Sequence, residues 1–485
     1  MKKKTSLILF TLLAINIFAE SYQIADYKFN IKGSNNFNFN RTKETALLMK
    51  YPLDVNTIFD DKESFESYIS NYKQLLINTR AFEDVSITYD TVLDKKNDLV
   101  NVILYLNLND SNHLLALPYP KFSSNSGFTL KLKAKDTNFL GTLNPLSADL
   151  YLNYKDNFEF GINFAYDYPF KAGIFNAEWT NDLNINYTIG NKSPAFSSAI
   201  GVNFSLPKNF FSVNFGASQT IGYLNKLYFN ENLFLSFPIV LYKANNYTNI
   251  NYSPSISFNF KWDTNFKTDP IENLELNFGH SISNSKINWN DHFRSGYSIS
   301  LGNTFNYNIM KNSLVPSISL ECEYFNNFPL LNKIFLDRFG INSRLYVFSV
   351  IDVPNRKGTG NQQIGNRLRG ILDNRLPKYP CGVVFNFDFP ISIITTNFPI
   401  TLLNFNMQLS PFVDVALPYD KENLINIKDG YYCAGMEVLV NPLKFSSYTI
   451  RASIGFDIDS VLKANNKFEG LLKNNEIYIG LDLHY

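Results

Sequence analysis

The sequence predicts a mainly β protein: a transmembrane antiparallel β-barrel of about 16 strands behind one small periplasmic α+β domain. Three observations predict it. From Leu114 onward, segment after segment alternates apolar and polar residues. Aromatics make up 16% of the 485 residues, while charged residues are only 18%, against roughly 25% in soluble domains. Finally, an N-terminal export segment is followed by no apolar run long enough for a spanning helix.

Lys2, Lys3 and Lys4 form a basic start, and Ser6 to Phe18 is apolar. A helix needs ~20 residues to cross a bilayer, so this run is read as a cleavable signal, residues 1–19, with cleavage after Ala19. Three cysteines, Cys322, Cys381 and Cys433, are too few and too scattered for a disulfide framework. Four histidines lack the spacing of a zinc site, and no nucleophile elbow, phosphate loop or dinucleotide fingerprint is present. The sequence therefore assigns no catalytic residue, no metal and no cofactor. A net charge of +1 argues against nucleic acid as a partner.

Residues 20–112 are read as one domain. Tyr27–Ile31 alternates as a strand, and Thr42–Lys50 can form a short helix. Lys62–Thr79 spaces Phe65, Ile69, Tyr72, Leu75 and Leu76 as on one helix face. Val85–Val92 and Val100–Leu108 alternate again, giving the order β-α-α-β-β, and Phe82 and Val85 are placed to pack under the sheet. The opening "FNIKGSNNFN", the link "LLINTRAFEDVSI" and the closing apolar strand make this segment resemble a polypeptide-transport-associated (POTRA) domain. The resemblance implies that unfolded client polypeptides pair with its strand edges through main-chain hydrogen bonds.

The barrel is assigned to residues 113–485. Phe158, Phe160, Ile162, Phe164 and Tyr166 fall on one strand face, with Glu159, Gly161, Asn163, Ala165 and Asp167 on the other. Thr449–Asp459 behaves alike. The last strand sets Ile477, Ile479, Leu481, Leu483 and the terminal Tyr485 against Glu476, Tyr478, Gly480, Asp482 and His484. Two further strand-like runs, Leu233–Tyr242 and Arg344–Asp352, are assigned to long loops, as is the whole of Asn327–Pro380.

Several barrel segments resemble the outer-membrane insertase superfamily of BamA, TamA and the two-partner secretion exporters, also called the bacterial surface antigen family. "KAKDTNFLGTLNPLSADLYL" is similar to its Asn-Phe-x-Gly turn between the second and third strands, here Asn138, Phe139 and Gly141. "FAYDYPF" at Phe164–Phe170 looks like the end of its fourth strand. "RLRGI" is similar to the Val-Arg-Gly-Phe/Tyr tip of its long sixth loop, which places Arg369, Gly370 and Ile371 in the lumen. "PFVDVA" resembles its Phe-x-Asp-x-Gly strand, with Ala416 where Gly is usual.

Alternation turns Phe385, Phe387 and Phe389 outward and Asn386 and Asp388 into the lumen. In the next strand Phe405, Met407, Leu409, Val413 and Val415 face lipid, so Gln408, Ser410 and Asp414 face inward, where Asp414 can meet Arg369. Many relatives carry Glu at the position of Asn386, so its absence predicts a weaker cluster. Pro118 and Pro120 cannot donate to a ladder, which makes Leu115–Phe122 the candidate strand of an opening seam. The resemblance implies an outer-membrane protein of a diderm bacterium that assembles, inserts or translocates other proteins. Its partners would be outer-membrane lipid, client polypeptides and periplasmic accessory proteins. The alternatives are a passive pore or surface adhesin, with Asn327–Pro380 as plug or ligand surface, and a dedicated two-partner-type exporter.

Overall fold

The computed structural model describes residues 21–481 apart from short stretches, the longest being 34–40, 264–272, 331–335, 351–361 and 420–426. The signal segment, Leu483 and Tyr485 lie outside the described residues.

The N-terminal unit is a four-stranded sheet ordered β2-β1-β4-β3, made by β1 (Ser21–Lys32), β2 (Ile58–Phe59), β3 (Phe82–Asp94) and β4 (Leu99–Asp110). β1 runs parallel to β4, and β3 lies antiparallel along its other side, leaving β3 as an edge. The two-residue β2 is an addition to the expected order, and β1 starts earlier than expected, at Ser21. Helices α1 (Glu44–Lys50) and α2 (Lys62–Asn78) supply the rest of the unit. α2 starts on a reciprocal cap: Ser64 N donates to Asp61 Oδ1 at 2.7 Å, and Asp61 N donates to Ser64 Oγ at 3.3 Å. It buries Phe65, Tyr68, Ile69, Tyr72 and Leu76 on the period a helix requires. β4 buries Val100, Val102, Leu104, Leu106 and Leu108 on the period of a strand, and Phe82 and Val85 join the same core.

The remaining strands close into an antiparallel barrel. It has 18 hydrogen-bonded strands rather than about 16. The difference lies in the two runs assigned to loops. Leu227–Ser236 pauses at Phe237–Pro238 and resumes as Ile239–Asn245, and both parts pair with Thr248–Asp263. Arg338–Val350 pairs along its length with Ser313–Pro329 and Cys381–Asp388. Asn327–Pro380 is accordingly not one long loop, because Arg338–Val350 within it is a barrel strand. In both cases Pro and Asn interrupt or flank the strand, and periodicity alone cannot register the ladder.

The outside of the barrel is apolar: Phe158, Phe160, Ile162 and Phe164 stand 38–49% exposed, as expected for their face. A closed ladder with an apolar exterior is what a bilayer demands of strands. Among the described residues no helix is long and apolar enough to cross a membrane. Toward the end, strand Ile450–Asp457 is shorter than the expected Thr449–Asp459. Asp457 caps a helix, α3 (Ile458–Lys463), which is followed by α4 (Lys467–Lys473) and the last strand, Asn475–Gly480.

The N-terminal unit sits on the barrel rim from which the first strand rises, called here the proximal rim, and touches three of its turns. Lys43 N donates to Gly141 O at 2.9 Å in the first turn. Gln74 donates to Trp289 O at 3.1 Å in the second, and Ser447 Oγ to Arg80 O at 3.1 Å in the third. The first two contacts stand eight strands apart in a ring of eighteen, so the unit straddles the mouth.

Candidate functional site: the lumen loop and the seam

Between the strands that end at Val350 and start at Cys381, residues 367–376 lie in the lumen and plant Arg369 against the wall. Its guanidinium donates to Asp414 through Nε at 2.9 Å and Nη2 at 2.7 Å, and to Asp388 through Nη1 at 2.6 Å. The backbone N–H of Arg369 also donates to Asp414, at 2.8 Å. Nη1 lies 3.2 Å from Glu437, which is bridged in turn to Arg451 at 3.3 Å. The Phe412 ring lies beneath the guanidinium at 3.8 Å. Every member of this cluster is buried.

Two glycines allow the approach. Gly370 has φ +130°, and a Cβ on Gly455 would come within 2.3 Å of the Arg369 carbonyl. Around the charges, Ile364, Leu368, Ile371 and Leu376 of the loop bury against Tyr346, Phe348, Val384, Ala416 and Cys433. The methyl of Ala416, where glycine was expected, is thus part of the loop's seat. Asn386 donates to Asp414 and to Arg367 O, both at 2.8 Å. The acid missing at Asn386 is compensated by Glu437, on the strand beyond that of Asp414, so the predicted weakening does not follow from the charge count. Alternation sets Arg451 on the polar face opposite Ile450 and Ala452, but neither it nor Glu437 is tied to the Arg369 cluster by the sequence alone.

The seam is where the first barrel strand, Leu114–Ser123, meets the last. The first strand pairs at ten positions with Gly127–Asp136, but among the described residues only Phe122 and Ser123 pair with Ile479 and Tyr478. Ser124 N donates across the seam to Ile477 O at 3.0 Å. Residues two apart point their N–H groups the same way, so Phe122, Pro120 and Pro118 face the seam too, and the two prolines have no hydrogen to offer. Beside this gap an apolar cavity of about 270 Å³ is lined by Leu115, Pro120, Ile479, Gly480 and Leu481.

The turn residues Asn138, Phe139 and Gly141 hold the N-terminal unit. Fully buried Asn138 donates to Thr42 Oγ1 at 2.7 Å, and Thr42 donates through N and Oγ1 to Asp110 at 2.9 and 2.8 Å. Burial pushes the Asp110 carboxyl up, against the pull of those two bonds. Gly141 has φ +70°, and a Cβ there would lie 2.0 Å from the Arg41 carbonyl, so glycine is required at this contact. Phe139 packs edge-on against Tyr166 at 5.0 Å.

The three cysteines are free. Among the described residues no group of three His, Cys, Asp or Glu side chains could hold a metal ion.

No family model matches the sequence, and no curated protein matches it. Solved structures do match in fold. CdiB from Acinetobacter baumannii superposes with a TM-score of 0.50 at 14% identity, over 95% of this chain and 74% of that one. BamA from Haemophilus ducreyi lacking POTRA domains 1-3 aligns at 12% identity and TM-score 0.38, over 95% and 84%. CdiB from Escherichia coli aligns at 8% identity and TM-score 0.40, over 96% and 91%. In fold, the chain is a closed antiparallel β-barrel with an N-terminal α+β unit, similar to CdiB from Acinetobacter baumannii.

Proposed function

We propose that the protein inserts or translocates other polypeptides at the outer membrane of a diderm bacterium, without catalysing a covalent reaction. The observation that carries this reading is the seam: among the described residues it has two ladder pairs, with two prolines turned toward the last strand, while the first strand pairs at ten positions with its other neighbour. A barrel built only as a passive pore gains nothing from a weak closure, since lipid penalises every unpaired backbone group. The proximal rim then faces the periplasm, and the N-terminal unit acts as a POTRA module. Its free β3 edge receives client segments through main-chain bonds, which are blind to side-chain sequence. Arg369, seated on Asp388, Asp414 and Glu437, holds the loop in the lumen against the strands that lead up to the seam.

The deciding experiment is depletion of the protein followed by quantitative proteomics of the outer membrane and the medium. Loss of many barrel proteins supports insertion, and loss of one secreted protein supports export. An unchanged envelope and medium would refute both and leave a pore or adhesin.

A further inference from the structure

Glu476 of the last strand accepts hydrogen bonds from two segments that the chain keeps far apart. Its Oε2 takes the N–H of Gly370, in the lumen loop, at 3.0 Å. Its Oε1 takes the side-chain amide of Asn125, in the turn after the first strand, at 2.8 Å. The loop closes the triangle, because Asp373 N donates to Asn125 Oδ1 at 2.9 Å. The last strand, the first hairpin and the loop are therefore joined at one point, on the lumen side of the seam and next to the pairs Ser123–Tyr478 and Phe122–Ile479.

We infer that Glu476 is a positioning residue that couples the seating of the loop to closure of the seam. The inference rests on the reading of the seam as the opening. Where the ladder is short, side-chain bonds from a third element make up a large part of what holds the edges together. A carboxylate suits the position because both of its oxygens accept, and here both face donors. A glutamine would turn an NH₂ group toward one of the two donors and keep only one bond. The bonds run through backbone or amide groups of the loop tip, four residues or fewer from Arg369. When the arginine leaves its carboxylates, Gly370 and Asp373 leave with it, and the seam loses its inner fastening. Loop movement and seam opening thus become one event instead of two.

The test reads seam geometry with no client present, so it can fail while client assembly persists, and the reverse. The three native cysteines are changed to Ala, and the ladder partners Phe122 and Ile479 are changed to Cys. Disulfide formation under a mild oxidant is then measured in native membranes. The parent should cross-link nearly completely. Glu476→Ala and Asn125→Ala should each reduce the yield several-fold, and the double variant should be no worse than either. Glu476→Gln should recover an intermediate yield, and Arg369→Ala should lose as much as Glu476→Ala. If Glu476→Ala fails to reach the membrane folded, the turn variant Asn125→Ala decides alone. Parental yields in the folded Glu476 and Asn125 variants, or additive losses, would overturn the coupling.

Discussion

The guanidinium of Arg80, in the link after α2, lies 4.1 Å from the ring centre of Trp289 on a proximal barrel turn. Around this pair Asn78 accepts from Trp289 N at 2.9 Å and donates to Asn288 at 3.1 Å. Arg294 sits over Phe325 at 4.0 Å on the same turn. Burial, with Arg294 close by, lowers the Arg80 guanidinium to about 10. With the Asn138 contact eight strands away, this pair makes the N-terminal unit a bar across the mouth.

Trp289→Ala should release that end of the bar. A desolvated cation–π contact is worth up to about 2 kcal/mol, or roughly thirtyfold in the docking equilibrium. Limited proteolysis of the link and of α2 follows the open population, so cleavage should accelerate by a comparable factor. A paired Asn78→Cys and Asn288→Cys protein should cross-link readily. Failure to cross-link, with cleavage unaltered by Trp289→Ala, would show that the unit does not rest on this turn.

Docking should also weaken in acid. His292, in the same turn, is pulled down from 6.5 to about 4 by burial, then by the Arg80 charge, with Asp337 opposing. A histidine whose docked pKa lies below its free value stays neutral when docked and takes up a proton on release. Docking is therefore at full strength above about pH 6.5 and declines as the pH falls toward 4, by up to about tenfold per unit. Proteolysis or cross-linking across that range measures it, and His292→Gln should flatten the profile.

The loop seat should behave as one unit. Removing one partner from a buried charge network costs ~3–5 kcal/mol. Arg369→Ala and Asp414→Ala should each lower the temperature at which the barrel loses its compact gel mobility. The double variant should be little worse than either, because linked partners are non-additive by ~0.5–3 kcal/mol. The exchanged pair, Arg369→Asp with Asp414→Arg, should not recover the loss, since Asp414 also accepts the backbone N–H of residue 369. Strictly additive shifts would mean that the two side chains act separately.

The N-terminal unit should fold without the barrel. Its core, from Tyr22 to Leu108, is complete within residues 20–112 apart from a touch of Leu143. In that segment expressed alone, Phe82→Ala should cost roughly 3–5 kcal/mol, since Phe82 is buried. Chemical denaturation reads the difference, and absence of a cooperative transition in the parent segment would refute the domain boundary.

Local pattern carried most of the fold. Strict alternation located β4, the apolar exterior around Phe160 and the inward faces of Asn386 and Asp414, because side-chain direction follows from strand period alone. What remained hidden depends on register and on contacts between distant segments. The break at Phe237–Pro238 looks like a loop until Thr248–Asp263 pairs with both halves of the strand. The meeting of Arg369 and Asp414 was legible from family resemblance joined to alternation. Glu437, Arg451, Glu476 and Trp289 were not, because a lumen-facing or rim position does not say which loop or domain will arrive there.

The charged residues that hold the loop share one more property. Asp388, Asp414, Glu437, Arg451 and Glu476 all follow Arg369 in the chain, on successive strands up to the last. The chain can therefore assemble this charged wall, with Arg369 seated on it, before the first strand arrives. The nearest of these contacts closes only 19 residues and the most distant 106, against 353 across the seam, so the entropic cost of closure is lower by about 1–3 kcal/mol. The protein's own biogenesis should then begin at the C-terminal wall, and the seam, whose closure awaits both ends of the chain, should form last.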